Sequence, residues 1–231
     1  MHIPDGFINA PASVGAGLVA AGGIAVSIRQ AAKTLADKYL PVAGLVAAFI
    51  FAVQMLNFPV AAGTSGHLLG GTLAAVLVGP GAGALCVAVV LVVQALFADG
   101  GLTALGLNII NMALVTAWGG YALFLALRRI TPKSRRGVTL SAGIAAGLSV
   151  ILASLAFVLE YAIGGTGTAS VRAVAAAMIG VHTLIGIGEG IITAFTVGLV
   201  LAVRPDLVYG ARDLLPPIQI RAAAPRTGAT T

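Results

Sequence analysis

An all-α fold, a polytopic transmembrane bundle of about seven helices, is what this sequence predicts, and three observations carry the prediction. Charged residues make up 9% of the 231 residues and hydrophobic residues 59%. A soluble domain carries about 25% charged residues, so this chain has too few to cover a water-facing surface of its size. Its apolar residues gather into runs near the roughly 20 residues that a membrane-crossing helix needs. Its 31 glycines suit helices that approach closely in lipid, where small residues bring backbones together.

Seven runs qualify in order: Val14–Ile28, Val42–Phe58, Val60–Val78, Ala82–Ala98, Leu102–Leu127, Val138–Ile163 and Ala173–Val203. The first is short. The third opens with the polar stretch GTSG, and only Leu68–Val78 is cleanly apolar, so taken alone it looks re-entrant. The last is long enough to tilt or kink. Charge decides between six and seven crossings. With seven, and an external N-terminus, the inner loops hold Arg29, Lys33, Lys38, Arg128, Arg129, Lys133, Arg135 and Arg136. The inner tail holds Arg204, Arg212, Arg221 and Arg226, leaving only Arg172 outside. Basic residues favour the cytoplasmic side, so seven crossings are expected. Residues 1–204 then form a single membrane domain. Residues 205–231, rich in Pro, Ala and Arg, are expected to be a mobile cytoplasmic tail.

The net charge of +6 is explained by these flanking residues, and nucleic acid is not an expected partner. Cys86 is the only cysteine, which excludes an internal disulfide and a thiolate cluster. The opening MHIPDGF lacks the basic start of a signal peptide, and none is expected. No GxxxxGK[ST] loop is present, so the chain is not expected to hydrolyse ATP. The absence of HExxH and the scatter of the histidines argue against a membrane-embedded metalloenzyme.

Chemistry concentrates on three histidines, His2, His67 and His182. In this topology His2 and His67 both reach the outer side. Gly63 and Gly66 free the backbone before His67 to form a loop at membrane depth, which is tolerated only when buried in protein or lining a cavity. On residue types alone a ligand pair and two unrelated loop histidines both stand. His2 adds a sharper argument. The Met1 amine, the His2 amide nitrogen and the His2 imidazole can chelate one metal in successive five- and six-membered rings. One more imidazole, such as His67, completes four nitrogens, a set suited to Ni(II) and Cu(II) and acceptable to Co(II). Met1 is expected to be retained, because histidine is a large second residue.

Gln54, Asn57, Gln94, Asn108 and Asn111 lie in or near apolar runs. They serve either as supports for a ligand loop or as packing hydrogen bonds between helices. His182 and Glu189, seven apart on one helix, share a face and are expected to form a buried hydrogen-bonded pair. The alternative is an ion-gradient-coupled transporter that uses the two as a relay. Asp5 and Asp99 are expected as turn formers. Small residues in four-residue steps, Ala16–Ala20 and Gly17–Ala21–Ala25, offer a face for a partner helix or for packing within the chain.

Four separated blocks resemble one family in its order: MHIPDGF, QMLNFPVAAGTSGHLLGG at 54–71, LVVQALFADGGLTALGLNIINM at 91–112 and HTLIGIGEGIITA at 182–194. They are similar to the CbiM/NikM family, the substrate-specific membrane components of energy-coupling-factor transporters for cobalt and nickel. The resemblance spans residues 1 to about 200. It implies that the Met1 amine, the His2 amide and imidazole, and the His67 imidazole hold Co2+ or Ni2+ as transported substrate, with no permanent cofactor. It implies as partners a transmembrane coupling subunit, cytoplasmic ATPases and a small accessory membrane component. PDG here replaces the MEG that many members carry after MHI. The MHIPDGF start leans the expected metal toward cobalt.

Overall fold

The computed structural model describes residues 1–35, 40–59 and 65–214. Among these the chain forms seven helices. They are α1 (Ala10–Thr34), α2 (Leu40–Gln54), α3 (Gly71–Val78), α4 (Pro80–Leu96), α5 (Leu105–Arg128), α6 (Arg135–Gly164) and α7 (Val171–Val203). Four of them, α1, α5, α6 and α7, are long and apolar enough to cross a membrane unaided, whereas α2 and α4 are apolar but shorter. Side-chain caps fix three starts. Asn9, Ser134 and Ser170 accept from the backbone N–H of Ala12, Gly137 and Ala173, so each satisfies a donor that the helix itself leaves open.

Two expectations change in the third run. It forms a helix only from Gly71 to Val78, and two short strands, Phe58–Pro59 and Ser65–Gly66, pair antiparallel before it. An eight-residue helix is about 12 Å long, too short to span a core of about 30 Å. Its lead-in from residue 65 is non-helical. Irregular backbone is possible there because Gly66, His67, Leu69 and Gly70 are buried in the protein. Gly79 separates α3 from α4. Its φ of +95° is open to glycine but strained for a side chain, and Pro80 starts the next helix without an N–H to satisfy.

Elements alternate up and down. One end gathers residues 1–9, the starts of α1, α3, α5 and α7, and the ends of α2, α4 and α6: Asn9 N–H donates to Gly164 O, and Gln54 Nε2 to Leu69 O. At the other end, Gly81 N–H donates to Gln30 Oε1 and Arg128 pairs with Asp213. Arg29, Lys33, Arg128, Arg129, Lys133, Arg135, Arg136, Arg204 and Arg212 all fall toward that second end, and Arg172 toward the first. Lys38, Arg221 and Arg226, like Gly63 and Thr64 of the polar stretch, lie outside the described residues.

The helices pack through small residues. Gly143 and Gly147 of α6 meet the carbonyls of Gly190 and Gly186 on α7 so closely that a Cβ on either α6 glycine would stand 2.8 Å from oxygen. On α1, Gly17 lies against Gly106 of α5, so part of its small-residue face serves packing within the chain. The middle of α5, Ile109–Gly119, takes the wider π register, a form often found near functional sites. Residues 205–214, expected at the start of the tail, form two 3-10 turns that pack back on the bundle, with Val208 and Ala211 fully buried. Residues 215–231 lie outside the described residues.

Candidate metal centre

The first nine residues fold into the bundle rather than away from it. Pro4-Asp5-Gly6 makes a turn closed by Phe7 N–H to Pro4 O, with Gly6 at φ +76°. Asp5 Oδ1 accepts from both N–H and Oγ1 of Thr103. Phe7 packs on Phe157 and Tyr161, and Thr166 Oγ1 donates to Gly6 O. Asn108, at the start of α5, grips Ile3 in two directions: its Oδ1 accepts from Ile3 N–H at 2.8 Å and its Nδ2 donates to Ile3 O at 3.1 Å. Gly101 N–H donates to the same carbonyl. The result drives Met1 and His2 inward, to 0% and 4% exposure.

There His2 meets His67, itself fully buried. Nε2 of His67 stands 3.0 Å from Nδ1 of His2. The outer nitrogens fix the tautomers. His67 Nδ1 faces Leu68 O at 2.8 Å, and a carbonyl only accepts, so Nδ1 carries the proton. His2 Nε2 faces Gln94 Oε1 at 3.0 Å and likewise donates. Each neutral ring has one proton, and both point away from the contact. Two lone pairs therefore face each other, and Asp99 Oδ1 lies 3.3 Å from the same Nδ1. Such a grouping of donors without a proton between them is stabilised by a cation.

Burial disfavours the charged forms of the Met1 amine and of His2. Burial lowers the Met1 amine to about 4, with Asp99 opposing. Burial, then the neighbouring amine, lowers His2 to about 4, against Asp99 and the Gln94 hydrogen bond. Among the described residues no three His, Cys, Asp or Glu side chains, the His2, His67 and Asp99 group included, are placed to hold a metal by themselves. A full donor set here needs backbone and terminal nitrogens.

The polar residues of the sequence divide. Gln94 and Asn108 support His2 and Ile3, and Gln54 supports the loop after His67. Asn57 reaches Asp99 Oδ2 at 3.4 Å. Asn111 instead donates to Glu160, a half-buried acid of α6 that the sequence reading passed over and that its position in an apolar run could have flagged. Asp99 is more than a turn former, since it faces His2. The expected His182–Glu189 pair does not form. His182 Nδ1 donates to Met178 O within its own helix, whereas Glu189 accepts from the backbone N–H groups of Leu69 and Gly70. One helical face thus points the two residues at different neighbours, and the relay built on their pairing loses its contact.

Comparison with known proteins agrees with this architecture. Residues 2–207 match the family described as CbiM, the cobalt uptake substrate-specific transmembrane region. A relative from Archaeoglobus fulgidus, named for a fused nickel transport protein, is 41% identical over 90% of this chain and 68% of its own length. A cobalt transport protein of Sorangium cellulosum is 38% identical over 74% of this chain and 76% of its own. A crystal structure of a transition metal transporter superposes with a TM-score of 0.81 at 28% identity, covering 88% of this chain and 93% of that one.

Proposed function

Starting from the fact that the chain belongs to the CbiM family of substrate-specific transmembrane components for cobalt and nickel transport, we propose that it captures Co2+ or Ni2+ at the His2–His67 centre. The ligands are the Met1 amine, the His2 amide nitrogen, His2 Nδ1 and His67 Nε2. The observation that carries this reading is the pair of bare nitrogens 3.0 Å apart. A chelating Met1–His2 start fills three successive corners of a square, so His67 takes the fourth, next to His2 Nδ1. With metal–imidazole bonds of about 2.0 Å, adjacent corners lie about 2.8 Å apart. The two imidazoles already stand near that spacing.

Four nitrogens in a plane suit nickel, and the divalent series favours nickel over cobalt. The relatives' names divide between the two metals, and the lean to cobalt rests on the MHIPDGF start alone. Transport is ATP-driven, with hydrolysis in separate subunits of an energy-coupling-factor assembly and a small accessory membrane component alongside. Basic residues collect at the end away from the centre, which supports placing that end in the cytoplasm and the centre on the extracytoplasmic side.

Metal analysis of the purified chain tests the ligand set. His2→Ala and His67→Ala are each expected to lose most of the bound metal, and His182→Ala to keep most of it. Loss in His182→Ala with retention in His67→Ala would move the site elsewhere and overturn the reading.

A further inference from the structure

We propose that Glu189 is the positioning residue of the metal centre and acts on His67 through one peptide group. The inference rests on His67 being a ligand, as proposed above. Glu189 Oε2 accepts from Leu69 N–H at 2.8 Å. The carbonyl of that same peptide unit is Leu68 O, which accepts from His67 Nδ1–H at 2.8 Å. Carboxylate, peptide and imidazole thus form one line that ends at His67 Nε2.

The chemistry runs along that line. A carboxylate on the N–H end polarises the peptide and makes its carbonyl a stronger acceptor. The stronger acceptor holds the proton on Nδ1, which keeps Nε2 bare and raises its strength as a donor. Metal-bound histidines commonly give their second N–H to a carboxylate or carbonyl for this purpose. Here the carboxylate works at one remove, with a backbone amide between. The neighbouring groups prevent the loop from slipping. Oε1 of Glu189 accepts from Gly70 N–H at 2.6 Å, and Gln54 Nε2 donates to Leu69 O at 2.7 Å.

The charge on Glu189 follows from its partners. Both oxygens face N–H donors, and a protonated carboxyl would turn an O–H toward one of them. An acid 3% exposed in an apolar helix is expensive unless it is bound in this way. Its attachment to the His67 loop, rather than to His182, gives the acid a task at the centre.

Glu189→Gln tests the line, because the amide matches the carboxylate in shape but sets an NH2 group against one of the two N–H donors. Three quantities are read on the purified full chain: the 15N shifts of the His67 ring without metal, and the ligand-field band and the affinity with Ni2+ alone. Wild type is expected to show Nδ1 protonated and Nε2 bare. Glu189→Gln is expected to mix the two tautomers, shift the band and weaken Ni2+ binding by about 10- to 100-fold. Unchanged tautomer, band and affinity in Glu189→Gln, beside metal loss in His67→Ala, would overturn the inference and leave the ligand set intact. Undiminished binding in His67→Ala would instead overturn the ligand set. Should Glu189→Gln not fold, the wild-type amides decide. The Leu69 and Gly70 protons are expected far downfield and slow to exchange, and ordinary shifts with fast exchange would overturn the clamp.

Discussion

His2 Nδ1 and His67 Nε2 face each other across 3.0 Å although 65 residues separate them in the chain. The contact joins the inserted N-terminus to the loop ahead of α3. Neither partner reaches it unaided: Asn108 sets the depth of Ile3 and hence of His2, while Leu68 O turns the His67 ring.

An extension of one glycine before Met1 is expected to abolish metal binding and leave the fold intact. It converts the amine into an amide and changes the chelate rings. The measurement is metal content of a folded Gly–Met1 chain, and wild-type content would remove the amine from the site.

Asn108→Ala is expected to weaken metal binding more than it weakens the fold. Two buried hydrogen bonds to Ile3 vanish; its carbonyl keeps Gly101 N–H but its N–H is left unpaired, a loss of about 1–3 kcal/mol. Thermal unfolding and a Ni2+ titration, run together, check the comparison. Affinity equal to wild type would show that the depth of His2 is set by other contacts.

Affinity is expected to fall with acidity in two stages. The amine and His2 are held near 4, so neither carries a proton to displace at neutral pH. Only the His2 amide proton leaves on binding, and the dissociation constant should change about tenfold per pH unit between 8 and 5. Below 5 the slope should steepen. A slope of two or three protons at pH 7 would mean that the free site is protonated. The same shifts act on folding without metal. An unfolded chain binds protons at these groups below their ordinary values of 8.0 and 6.5, so the metal-free protein should lose stability as pH falls from 8 toward 4.

Cysteines placed at Ser134 and at Thr166, in a Cys86→Ser background, are expected to differ in intact cells. An impermeant thiol reagent should label the Thr166 position and spare the Ser134 position. The reverse pattern would invert the proposed orientation.

Much of this was legible in the sequence because lipid imposes strong rules. Long apolar runs and the charge split predict the four long helices and their alternation. A Met1–His2 start is a chelate by connectivity alone, whereas residue types left His67 open and only the family resemblance named it; the structure brings its ring to 3.0 Å from His2. The short α3 was less legible. A helix of eight residues and an irregular lead-in share the composition of one apolar run, and their boundary depends on tertiary burial. Glu189 was placed with the wrong neighbour, and Asp99 was read as a turn former with no neighbour, for a related reason. Helical spacing fixes which face a side chain occupies, but the partner comes from a segment distant in sequence, here Leu69–Gly70 for one and His2 for the other.

Thr166 closes on Gly6 across 160 residues, and this has a consequence for biogenesis. Residues 1–9 precede all seven helices yet cannot settle until late, since their contacts include the turn between α6 and α7. Closing so large a loop adds little further entropy beyond a shorter one, but it must wait until α6 has been made. A nascent chain lacking that turn should therefore hold metal poorly, and acquisition of the ion should mark completed assembly.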